Sequence, residues 1–81
     1  MKAVLHVLAI QRQIENALEA LGYLHISTWR WTTNWAGHGT YIVISRHSAF
    51  VEVQIDRNHS TRFYYDAESA IEAATKIAGR A

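Results

Sequence analysis

The stretch that most constrains this chain is Thr40–Asp56, TYIVISRHSAFVEVQID. Residues 40–46 and 49–55 each alternate in character and are rich in β-branched and aromatic side chains, which suit a pleated, half-buried surface. His47-Ser48 lies between them and fits a two-residue turn, although it lacks the Asn-Gly or Gly-X chemistry such turns favour. That turn pairs Arg46 with Ala49, Ile44 with Val51 and Ile42 with Val53. Directly opposed residues share a face. Ile42, Ile44, Val51, Val53 and Ile55 then form a dry core face. Tyr41, Val43, Ser45, Phe50, Glu52, Gln54 and Asp56 form a mixed face. A one-residue slip of either strand would mix the two sets, so the pattern supports the pairing.

The flanks supply the layers. Ala3, Val7, Ile10, Ile14, Ala17 and Leu21 recur at helical spacing, which predicts a helix over residues 1–21 with Gly22 as its cap. Lys2–Ala9 is apolar on every side and also fits a short strand. Tyr23–Thr33 reads as the first strand. Its phase changes between Leu24/Ile26 and Trp29/Trp31, which a bulge near Ser27 would reconcile. Trp29 and Trp31 are thereby assigned to the core face, opposite Ile44 and Ile42. Asn34–Gly39, NWAGHG, has loop composition and carries Trp35. After a polar turn at residues 56–60, Thr61–Tyr65 is the fourth strand. Setting Phe63 against Ile55 and Tyr65 against Val53 puts both in the core and leaves Arg62 and Tyr64 on the mixed face. Asp66 caps a second helix that Gly79 stops, with Ala67, Ala70, Ile71, Ala74, Ile77 and Ala78 as its buried stripe.

The expected fold is α+β: α-β-β-β-β-α, a four-stranded antiparallel sheet with both helices on one face, in a single domain over residues 1–81. So small a domain gains from dimerisation. With no cysteine, disulfide scaffolds and thiol catalysis are excluded. Ala3–Ile10 lacks a cleavage site and nothing approaches the length of a membrane span, so the expected location is the cytoplasm, with no membrane partner.

No catalytic motif stands out. The five histidines have no helical or strand metal-pair spacing, and no metal or cofactor is expected. Ser45, Ser48, Ser60, His47, His59 and Asp56 hold the letters of a hydrolase triad without its recognisable context. Gly37-His38-Gly39 is too short for a phosphate cradle. Not being an enzyme, the chain is expected to bind through the uncovered sheet face. The candidate binding residues are Arg30, Trp35, Tyr41, Val43, Phe50, Arg62 and Tyr64. An exposed apolar patch of this kind marks an interface, with a solvated sheet face as the plain alternative.

Nucleic acid is the competing partner, because aromatics interleaved with arginines stack bases and pair phosphates. Residues 24–65 carry only about +2, little for a chain that must neutralise many phosphates. The element order resembles the double-stranded RNA-binding domain. Where that family is basic at the start of its last helix, this chain reads Asp66-Ala67-Glu68. FVEVQIDRNHSTRFYYDAESAIEAATKIA is similar in layout to DNA-binding sheets of the AP2 and integrase-arm type, without their arginine- and tryptophan-rich reading strands. In size and style the chain resembles small phage-encoded inhibitors of the anti-CRISPR kind: one α+β domain and no catalytic motif. That resemblance implies occupation of a surface on a CRISPR effector subunit, blocking target-DNA binding. The expected partner is therefore a protein, such as an effector subunit, or a second copy in a homodimer.

Overall fold

The computed structural model describes residues 2–80, with side chains from His6 onward. Met1, the expected start of the first helix, and the Ala3 side chain of the expected stripe lie outside the described residues. The elements run α1 (Lys2–Ala20), β1 (Leu24–Trp29), β2 (Thr32–Gly37), β3 (Thr40–Arg46), β4 (Val51–Arg57), β5 (Ser60–Tyr64) and α2 (Ala67–Arg80). The sheet is an antiparallel meander in sequence order, with five strands where four were expected. Residues 2–9 are helical, which closes the strand alternative.

The central hairpin builds the core as its alternation requires. Ile42, Ile44, Val51, Val53 and Ile55 are all buried. The pairs are Ile44 with Val53 and Ile42 with Ile55, joined by a four-residue connection, His47–Phe50, in place of the two-residue turn. Each strand position has moved by two relative to its expected partner. An even shift keeps every side chain on its face, so the two sets survive. Val7, Ile14 and Leu18 of α1 and Ala70 and Ala74 of α2 join the same core cluster, which places both helices on one face of the sheet.

The helix ends follow local chemistry. Gly22 (φ 91°) ends α1. The Tyr23 amide bonds the Leu18 carbonyl and the Gly22 amide bonds that of Glu19, the paired pattern of a Schellman cap. Asp66 caps α2, its carboxylate accepting the Ser69 amide at 2.9 Å. Gly79 does not stop that helix, which continues to Arg80. A lone glycine costs about 1 kcal/mol within a helix and does not by itself break one.

The first half of the sheet departs most from expectation. Residues 23–33 form not one strand but a strand, a tight turn at Arg30-Trp31, and the start of a second strand. Arg30 itself takes the positive φ (55°) that such turns demand. The bulge falls between His25 and Ser27, where expected. NWAGHG is mostly strand: Trp35 pairs with Ile42 and Thr33 with Ile44. The next turn, His38-Gly39, has positive φ at both residues and is held down by His38, whose ring nitrogen donates to the Leu21 carbonyl at 2.7 Å. Gly37 is there for proximity. A Cβ at that position would sit 3.1 Å from the Tyr23 Cα.

Candidate functional site

Because both helices cover one face, the other is bare. Cross-strand partners place Leu24, Ser27, Trp29, Thr32, Asn34, Ala36, Tyr41, Val43, Ser45, Glu52, Gln54, Asp56, Thr61 and Phe63 on it. A hydrogen-bonded polar row crosses its β1–β3 half. The Tyr41 hydroxyl donates to the Asn34 carbonyl oxygen at 3.1 Å, and the Asn34 amide donates to Ser27 at 3.0 Å. On the β4–β5 half, Gln54 and Thr61 both donate to the Asp56 carboxylate.

Aromatic groups stand at the two margins. At the β5 margin Phe50 stacks on His47 with centroids 4.4 Å apart and meets Tyr65 edge-on at 6.0 Å. Phe63, opposite Gln54, is 50% exposed and Tyr65 58%. At the β1 margin Trp29 is 69% exposed and Trp31 54%. The Arg30 guanidinium lies 5.4 Å from one ring centroid and 5.9 Å from the other, a doubled cation–π contact at the tip of the hairpin. Leu24 and Ile26 are exposed along the same edge strand.

Of the residues singled out from sequence, Tyr41, Val43 and Phe50 occupy the bare face or its margin, and Arg30 occupies the hairpin tip. Trp35 does not stand on a loop. It is 5% exposed in the core, its indole N–H donating to the Thr33 hydroxyl at 3.2 Å. Trp29 and Trp31, expected in the core, are the exposed pair. Arg62 and Tyr64 are not on the bare face either. Residues Asn58-His59 form a two-residue turn with positive φ at both positions, which pairs Arg57 with Ser60, Ile55 with Arg62 and Val53 with Tyr64. This register differs by one residue from the expected one and exchanges the faces of β5. Tyr64 packs half-buried on the core, while Phe63 and Tyr65 turn outward. Turn chemistry was the overlooked signal: Asn58-His59 fits a tight hairpin as well as the opposed charges of Asp56 and Arg62 fitted their pairing.

The strand positions of the bare face carry two carboxylates, Glu52 and Asp56, and no lysine or arginine. The arginines of the sheet half lie elsewhere: Arg30 in the tip, Arg46 beside Trp31 and Val7, Arg57 and Arg62 toward α2. Beneath the sheet, Tyr23 is fully packed, its hydroxyl donating to the Ala74 carbonyl at 2.9 Å. Burial pushes its phenol above the ordinary value, with the Arg57 charge drawing it partly back. Among the described residues no group of three or more His, Asp or Glu side chains could hold a metal ion, and no helix is long and apolar enough to cross a membrane.

Comparison of the chain with protein families, characterised proteins and solved structures finds no match.

Proposed function

We propose that the chain is a non-enzymatic binding protein that docks a protein partner on its bare sheet face. The observation that carries this is the pair of aromatic margins, Trp29 on one side and Phe50, Phe63 and Tyr65 on the other, all exposed around a polar centre. Large exposed aromatics, tryptophan and tyrosine above all, are usual anchors of protein interfaces, and small soluble domains seldom leave such patches uncovered. A phosphate backbone fits poorly, because the face presents Glu52 and Asp56 with no opposing cation at its strand positions. A partner surface that is neutral or basic, with apolar pockets for the margins, complements it.

Within that reading, the finer proposal is an inhibitor of the anti-CRISPR kind that covers a CRISPR effector subunit. Its support is the one-domain α+β design with a single uncovered face. The test is a plaque assay on bacteria whose effector restricts a targeted phage. Expression of the chain should restore plaques, and Phe63→Lys, which alters only the bare face, should abolish the rescue while leaving the fold intact. Failure across effector types removes the inhibitor proposal. A second copy of the chain is the competing occupant, and light scattering on a sizing column separates a dimer from a monomer.

A further inference from the structure

On the other side of the sheet, where β5 meets α2, the one-residue register of β5 builds a second feature. Ile55 and Arg62 are cross-strand partners, as are Arg57 and Ser60, so both arginines project from the helix-covered face as diagonal neighbours. Opposite them α2 presents the short side chain of Ala73. A groove of about 630 Å³ is left, floored by Ile55 and Ile77, walled by Tyr64 and rimmed by Arg57, Arg62, Arg80 and the Lys76–Glu72 pair. Lys76 is paired to Glu72 at 3.1 Å. Among the described residues, neither Arg57 nor Arg62 has a carboxylate within 4.0 Å.

The groove's one carboxylate, Glu72, is engaged by Lys76, so two arginines on neighbouring strands share a site with no ion-pair partner of their own, and an anion between them offsets their like charge. Guanidinium geometry matches phosphate oxygens two at a time. The volume lies within the roughly 300–1,000 Å³ of small-ligand sites, and the lining joins apolar walls and a tyrosine ring to a few charged groups, as such sites do. We infer that this groove binds a small phosphorylated ligand of the nucleotide kind, with phosphates on Arg57 and Arg62 and a flat ring against Tyr64 and Ile77. The site is independent of the bare face, which lies on the opposite side of the sheet.

Isothermal titration with ATP, adenosine, pyrophosphate and a single-stranded oligonucleotide tests this. ATP should bind more tightly than pyrophosphate, and adenosine weakly. Arg62→Gln, at an exposed position, should weaken ATP at least tenfold. Ala73→Leu, which fills the groove without changing charge, should abolish binding, with thermal melts confirming that the variant is folded. Glu19→Gln, exposed on α1 and outside the groove lining, should leave the affinity unchanged. The inference is overturned if neither ATP nor pyrophosphate binds, if a folded Ala73→Leu variant binds ATP as before, or if pyrophosphate matches ATP. It is equally overturned if only the oligonucleotide binds, with steep salt dependence.

Discussion

Replacing each tryptophan in turn by alanine separates the observed sheet from the one its sequence first suggests. Trp35 is 5% exposed, sits opposite Ile42 and lies against the His25 ring at 5.1 Å. Truncating a buried tryptophan costs about 3–5 kcal/mol, and the Thr33 hydroxyl loses its partner as well. A domain of this size is stable by roughly 4–12 kcal/mol, so Trp35→Ala removes about a quarter or more of the total. At about 4–8 °C per kcal/mol for small domains, the midpoint should fall by about 12 °C or more. Trp29→Ala and Trp31→Ala remove exposed rings and one cation–π contact each, a cost of about 1 kcal/mol or less. Thermal and urea unfolding followed by far-ultraviolet circular dichroism gives all three values. If Trp29→Ala costs as much as Trp35→Ala, the assignment of β1, β2 and the bare face is wrong.

Three further outcomes follow from individual contacts. The raised phenol of Tyr23 means that the folded state holds this proton more tightly than the unfolded chain. Its contribution is therefore complete below the ordinary tyrosine value near ~10 and is lost as pH rises through the folded value. Tyr23→Phe should cost about 1 kcal/mol at neutral pH and flatten the alkaline decline in a series of urea titrations. Gly37→Ala drives a Cβ to 3.1 Å from the Tyr23 backbone and 3.2 Å from its ring, and should cost about 1–3 kcal/mol by the same unfolding assay. Asp66→Ala removes the cap on the Ser69 amide and should cost about 0.5–2 kcal/mol, read as a lowered midpoint.

The legible parts of the sequence were those where pattern and chemistry agree over several residues. The alternation in Thr40–Arg46 and Val51–Arg57 gave the right faces even though the connection at His47–Phe50 is two residues longer than expected, because a shift of two changes no face. The Ala-rich stripe of α2, its Asp66 cap and the Gly22 end of α1 were equally readable. Failures came where one turn sets a whole strand. At Arg30-Trp31 no glycine, asparagine or aspartate announces a reversal, and an arginine bears the positive φ. Missing that turn made one strand of two and sent Trp29 and Trp31 into the core in place of Trp35. In NWAGHG, Gly37 marks close packing against Tyr23, where its composition suggests mobility. At β5 an error of one residue exchanged Phe63 and Tyr65 for Arg62 and Tyr64. Half of the aromatic margin and the whole cationic groove were hidden by that step.

Site-specific photocrosslinking tests the bare-face account most directly. A benzoylphenylalanine is placed at Phe63, on the bare face, or at Thr75, exposed on the outer side of α2. Each protein is irradiated in the cells that express it together with the candidate target. The account predicts a discrete, light-dependent adduct from position 63 and none from position 75, with the adduct's mass identifying a foreign protein or a second copy. Adducts of equal yield from both positions, or from 75 alone, would contradict it.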